Sequence, residues 1–488
     1  MKEFVILEYL TISHEREVLN LNEKEVTSKA RQREHIFTDY PMPKAVAALA
    51  IPTMLGMFVS ILYNLADTFF IGQLGDPNQV GAITIATPMF FMTMAFGSIF
   101  GVGASSYISR LLGMKKYLLA KQASAFSFYS SIVIGIIVTI LSIAFLPPIL
   151  GLSGATEQTY QYAYDYLFIT LLGSTFSILS FAFGQIFRAE GAIKEAMFGM
   201  MLGTILNIVL DPIFIFSLDM GVKGAACATV ISNFLVTCYY VYYLLKKSER
   251  LSISLSIFKE REDGEKFRLS MMNPIYAIGV PASMGTILMG ISNAILNNFA
   301  ASYGVKIIAS VGIVGRINTL PILLVIGLAQ GVQPLIGFNY GAKNYARLKS
   351  AIIFTIATGS IISIIFTALF YFQAQSLVQI FINDNEVVQL STYFLRVSML
   401  SMPFLPLLFV IITTIQSMGK GLHALVLSIA RQGLIFIPTI IIANAHFGYQ
   451  GIVHAQPIAD ILSLAVALAI FSTIAKQLFL DIKGQSHN

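Results

Sequence analysis

Two acidic residues inside long apolar runs are the side chains best suited to chemistry in this sequence. Asp211 lies in LNIVLDPIFIF (206–216) and Asp67 in YNLADTFFIG (63–72). An aspartate near the bilayer centre costs about 2.5–3.5 kcal/mol on insertion scales, and such groups face a protein interior and mark ion or proton paths. Asn207 and Asp211 are four residues apart, on one helix face, and so are Tyr63 and Asp67. Pro212 has no N–H, so the carbonyl of Ile208 loses its helical partner and can serve a protonated carboxyl or a cation that takes oxygen ligands. Two carboxylates close together in low dielectric do not both ionise cheaply. Proton uptake and Na+ binding relieve that same cost. A second reading stays open at this level, in which each aspartate only braces a neighbouring helix through a hydrogen bond.

The elements that must position these acids are membrane helices. Of 488 residues, 56% are hydrophobic and 11% charged, with mean hydropathy +0.75. Soluble domains carry about 25% charged residues. Twelve segments are long enough to cross a membrane. The first six are 46–73, 80–110, 123–148, 163–187, 196–217 and 224–245. The other six are 275–299, 307–338, 350–372, 391–416, 422–444 and 450–475. The expectation is therefore an all-α polytopic membrane protein. Two cysteines in one apolar segment suggest neither a disulfide framework nor a metal site. The net charge of +6 is scattered over short loops and does not point to nucleic acid. Trp is absent, so any interfacial belt is built from Tyr and Phe.

Lysine and arginine orient the chain. Of the 31, 26 fall on one face, including seven up to Lys44 and seven in the linker Lys246–Arg268. Both termini are thus expected in the cytoplasm. On that topology Asp67 precedes the external Asp76 by nine residues and Asp211 precedes the external Asp219 by eight, so the two acids share one depth. The polar first 40 residues lack the apolar core of a signal peptide and are expected to be a tail that transport does not need.

The two halves repeat. Pro52 pairs with Pro281 at an offset of 229, Gly113, Lys115 and Tyr117 with Gly341, Lys343 and Tyr345 at 228, and Gly221 and Gly224 with Gly448 and Gly451 at 227. Each half holds six spans, so the repeat is parallel, about an axis along the membrane normal, as in transporters that bind substrate between rocking lobes. The expected division is a tail (1–42), a first lobe (43–246), a linker (247–270), a second lobe (271–476) and a short tail (477–488).

The order YNLADTFFIGQLG, RAEG, LNIVLDPIFIF, GVKGAACATVIS and QGVQPLIGFNYGAKNYAR resembles the MATE (multidrug and toxic compound extrusion) family over about residues 43–476. The resemblance implies two six-helix bundles around a V-shaped cleft, and export of organic cations and other drugs in exchange for Na+ or H+. It is similar to the branch whose cation site lies in the first lobe, which implies roles for Asp67, Asn207, Asp211 and Thr229, with Tyr63 beside them. The branch with acids in spans seven and ten is not matched, since span seven offers Asn293, Asn297 and Asn298 and span ten no acid.

Arg316, Arg431 and Asp460 lie within second-half spans, where mutual pairing or a role in gating are the two readings. Gln330, with Gln185, Gln333 and Gln416, is a candidate to line the cleft. The expectation is a monomeric secondary antiporter of the cytoplasmic membrane, not an enzyme. It moves amphipathic or cationic drugs by rocker-switch alternating access, with no cofactor beyond Na+ or H+. No GxxxxGK[ST] motif is present to support direct ATP drive. Rival readings are a lipid-linked oligosaccharide flippase and a channel or receptor. The flippase calls for several cations in the cavity, and none is expected inside the first-lobe spans.

Overall fold

The computed structural model describes residues 33–262 and 265–485, without the side chains of 63–65, 67, 68, 77, 262, 265 and 477–485. A short helix α1 covers 33–38. The first lobe continues with α2 (Met42–Gly72), α3 (Pro77–Gly113), α4 (Tyr117–Ala144), α5 (Leu146–Leu152), α6 (Tyr160–Leu172), α7 (Ser174–Ala189), α8 (Ile193–Pro212) and α9 (Val222–Lys246). The second lobe comprises α10 (Asn273–Ser302), α11 (Val305–Gly341), α12 (Tyr345–Phe372), α13 (Ala374–Gln379), α14 (Asn385–Ser398), α15 (Leu405–Ser417), α16 (Gly421–Ile429) and α17 (Ile437–Gln485).

Ten described helices are long and apolar enough to cross a membrane, and α6 with α7, bent by 55°, makes an eleventh. One of the ten, Gly421–Lys476, breaks at Gly448 (φ 58°, ψ −138°) and supplies two spans, so the total is the expected twelve. Outward-facing Ile361, Ile364, Ile365 and Leu369 on α12 are exposed, as side chains that meet lipid should be.

Backbone geometry repeats with the sequence. Eight of the ten described residues at positive φ fall in pairs, one per half: Gly75 and Gly304, Lys115 and Lys343, Gly191 and Gly419, Gly221 and Gly448, with Gly154 and Asp219 unmatched. A non-glycine residue at positive φ is uncommon, so Lys115 (φ 61°) and Lys343 (φ 57°) at the same loop of both halves are a strong mark of duplication.

The lobes meet where α2 and α3 face α10 and α11. On the basic, terminus-bearing face this contact is backbone against backbone. A Cβ on Gly113 would lie 2.0 Å from the Phe338 carbonyl oxygen, and one on Gly341 2.2 Å from that of Arg110. Gly113 and Gly341 are repeat partners, and so are Arg110 and Phe338, so the contact maps onto itself about the pseudo-two-fold. Gly103 against Ile275 and Gly279 against Ile99 extend the seal inward. Small residues permit such approach between membrane helices.

The linker is not a loose tether. Tyr129 Oη donates to the Ile253 carbonyl at 2.8 Å and Gln122 Nε2 to that of Ile257 at 3.0 Å, which docks it on α4. Nor is the whole of 1–42 a free tail. Residues 33–40 pack against both lobes, while 1–32 lie outside the described residues.

Candidate cation site

Helix α8 packs between α2 and α9, so the carriers of Asp67, Asp211 and Thr229 are neighbours. The Asp211 side chain is fully buried and Asn207, one turn before it, nearly so. The Asn207 amide fits best with its nitrogen donating to Asp211 Oδ2 at 3.0 Å and its oxygen accepting from Thr229 Oγ1 (3.3 Å) and the Thr229 N–H (3.2 Å). The amide thereby ties α8 to α9 and aims a hydrogen-bond donor at the acid.

Pro212 leaves its mark in the form physical chemistry requires. The missing N–H breaks the i→i−4 ladder, and the chain passes directly into a π-helical turn, Ile213–Ser217. Such turns are frequent at functional sites. The turn places Ile215 in a buried cluster with Ile71 of α2 and Ala225 of α9, with Phe70 packed against it. Ile71 is four residues beyond Asp67, and Ile215 four beyond Asp211. Thr229 is four beyond Ala225 on a helix that runs the other way. All three polar positions therefore lie one turn inward of a single apolar plug, at one depth. The side chains of Asp67 and Tyr63 lie outside the described residues, and the backbone of α2 carries both positions on the helix that borders α8.

The donors of the described part of this cluster are oxygens of an amide, a carboxylate and a hydroxyl, which suit a hard cation such as Na+ or a proton. No group of three or more His, Cys, Asp or Glu suited to a metal ion occurs among the described residues.

The second lobe holds a charge pair between its own fifth and sixth spans. Arg431 Nε and Nη2 donate to Asp460 Oδ1 at 3.2 and 3.1 Å, and Gln456 Nε2 donates to the same oxygen at 3.0 Å. Arg431 sits in a second π-helical segment, Ala430–Phe436, with its guanidinium 4.8 Å from the centre of the Phe409 ring. Arg316 is exposed on α11 and takes no part in this pair. A buried acid matched by an arginine is internally compensated.

One buried cation escaped the reading of the sequence. Arg188, in the last turn of α7, is 4% exposed, although no cation was expected within the first-lobe spans. Its Nη1 donates to Gln330 Oε1 of α11 at 3.3 Å, and Gln185 Nε2 donates to the same oxygen at 3.1 Å. Half-buried Gln330 thus joins the lobes. Gln333 and Gln416 are buried. The fourth expected span, 163–187, ends one residue short of the arginine.

The MatE family model matches residues 52–213 and again 281–442, two stretches that begin and end 229 residues apart. Multidrug export protein MepA of Staphylococcus haemolyticus is 35% identical over 445 residues, covering 91% of this chain and 96% of that protein. MepA of Staphylococcus aureus is 35% identical over 447 residues, covering 92% and 97%. Among solved structures, a MATE protein crystallised in complex with MaL6 superposes with a TM-score of 0.85 at 27% identity, over 91% of this chain and 98% of that one. An outward-facing multidrug resistance MATE transporter of the MOP superfamily gives 0.84 at 26% identity, again over 91% and 98%. Its two halves matched in turn by one family model, and its length covered by close relatives, this chain belongs to the MATE family of multi-spanning membrane transporters.

Proposed function

We propose that this protein is a secondary multidrug exporter of the cytoplasmic membrane, with both termini in the cytoplasm, exchanging amphipathic or cationic compounds for Na+ or H+. The observation that carries the reading is the buried Asn207–Asp211–Thr229 cluster, one turn below the Ile71–Ile215–Ala225 plug. Carboxylates inside a membrane mark ion or proton paths by default, and the oxygens of this cluster suit a small hard cation. Asp67 comes from the helix beside it and is proposed as the second acid of the site, with Tyr63 one turn away.

Export then follows from competition. An ion that enters from outside neutralises the acids and lets the first lobe repack around α2 and the π-turn of α8. Loss of the ion to the cytoplasm restores the charge. A cationic drug is attracted to the ionised site and displaced when the ion returns. Alternating access requires the α2–α3 and α10–α11 contact on the basic face to separate, in the manner of a rocker switch. The relatives named multidrug export proteins support the substrate class.

The test is efflux of a fluorescent organic cation from proteoliposomes under a Na+ gradient and a pH gradient, imposed separately. Drive by at least one is expected. Indifference to both would remove the antiport reading.

A further inference from the structure

The segment just before α2 bridges the two lobes on the basic face. Toward the first lobe, Arg33 donates through Nη2 to Glu195 Oε1 at 2.7 Å and through Nη1 to Tyr243 Oη at 2.5 Å. Arg250 Nη2 lies 3.1 Å from Glu34 Oε2. Toward the second lobe, the Arg347 guanidinium donates to the carbonyls of Phe37 (2.6 Å), Tyr40 (2.7 Å) and Ile36 (3.4 Å). Asn339 Nδ2 also donates to the Phe37 carbonyl, at 3.3 Å. The Phe37 side chain is 2% exposed and stacks on Phe338 at 5.1 Å between ring centres. On its other side it borders Gly191.

Phe338 is the residue whose carbonyl touches Gly113 at the lobe seal. Phe37 therefore sits directly over the place where the lobes close. Glu195 and Tyr243 belong to the first lobe, Arg250 to the linker stacked on Tyr117 of that lobe, and Phe338, Asn339 and Arg347 to the second lobe. When the basic face opens these two groups separate, and α1 can keep only one of them. Three residues connect α1 to α2 of the first lobe, so continuity of the chain assigns it to that lobe. The contacts that must break are those to Phe338, Asn339 and Arg347. A guanidinium on three main-chain carbonyls caps the end of α1, where carbonyls lack helical partners, and its bonds are surface-accessible enough to exchange with water.

We propose that residues 33–40 are an intramolecular latch that holds the basic face closed, with Arg347 as the hook and Phe37 as the wedge, and that its release is a step in opening toward the cytoplasm. The proposal rests on the alternating-access reading above, and its test is read without any transported compound. Ser106 of α3 is fully buried, and its hydroxyl donates to the Gln416 carbonyl across the lobes. In a Cys227→Ser, Cys238→Ser background, Ser106→Cys reports opening through its labelling by a membrane-impermeant maleimide in inside-out vesicles. Slow labelling is expected in the parent, and labelling faster on the order of tenfold in Arg347→Gln and in Phe37→Ala, the scale that one charge-assisted bond or one buried ring supports. Glu34→Arg is expected to label faster and the pair Glu34→Arg with Arg250→Glu to return toward the parent. Equal rates in all variants would overturn the latch, and so would a Glu34–Arg250 exchange that labels as fast as the single change. Parent protein that exports nothing yet shows these labelling differences would sink the exporter reading and leave the latch standing.

Discussion

The Asn207 amide stands between Asp211 and Thr229, 3.0 Å from the carboxylate and 3.3 Å from the hydroxyl. The amide thus links the acid of α8 to α9. A hydrogen bond to a charged group is worth about 1.5–3 kcal/mol. Asn207→Ala is therefore expected to fold and still export, with the half-saturating concentration of the coupling ion shifted by roughly tenfold or more. An unchanged ion dependence of efflux would assign Asn207 to helix packing alone.

The Ile71–Ile215–Ala225 plug separates the polar cluster from the outer end of the first lobe. Ile215→Ser puts a hydroxyl where water is now excluded. The expected result is an ion leak in proteoliposomes without substrate, measured with a pH- or Na+-sensitive dye. A leak no greater than wild type would show that the plug does not control ion access.

Gly113 and Gly341 close the basic face because neither has a Cβ. Gly113→Ala forces a methyl against a carbonyl 2.0 Å away, which the backbone cannot yield without separating α3 from α11. Overpacking of this kind costs typically 1–3 kcal/mol, occasionally more. A lower melting temperature and faster Ser106→Cys labelling are expected. Gly151→Ala, with no heavy atom within 4 Å, is the control and should change neither. Equal behaviour of the two variants would contradict the seal.

Glu190 lies just beyond α7, buried beside Arg33, Tyr243, Ser248 and Arg250. Burial pushes its carboxyl above the usual range, opposed by the Arg33 charge and the bonds from Ser248, Tyr243 and the Arg250 N–H. The folded protein thus favours the protonated form. That contribution is full below the ordinary glutamate value of about 4.3 and is lost as pH rises through the folded value. Thermal stability in detergent should fall over this window, and Glu190→Gln should flatten that part of the profile. A wild-type profile in the variant would contradict the assignment.

Much of this was legible in the sequence, because the signals are local or periodic. Twelve apolar runs set the spans, the constant offset between Pro52 and Pro281 or Gly113 and Gly341 set the two lobes, and the four-residue spacing of Asn207 and Asp211 put them on one face. Pro212 announced a break in the helix, and the structure gives that break its form as a π-turn. What stayed hidden depends on contacts between distant residues. The latch joins Phe37 to Phe338 and Arg347, some 300 positions away, and a short polar helix carries no periodic signal of its docking. Arg188 lies one residue past the apolar run that marks the fourth span, inside a helix that continues to Ala189. Its place in RAEG, beside an apolar run, was the signal that could have found it. Thr229 rested on family resemblance and now has a bonded partner in Asn207. Arg316 shared its span with nothing that could have revealed its exposure.

The role of Asp211 is tested most directly by Asp211→Asn, reconstituted beside wild type and shown by size-exclusion profile and melting temperature to fold. Efflux driven by the effective ion gradient should vanish in the variant while binding of the substrate to detergent-solubilised protein is retained in part. Ion-driven efflux at the wild-type rate would contradict the account.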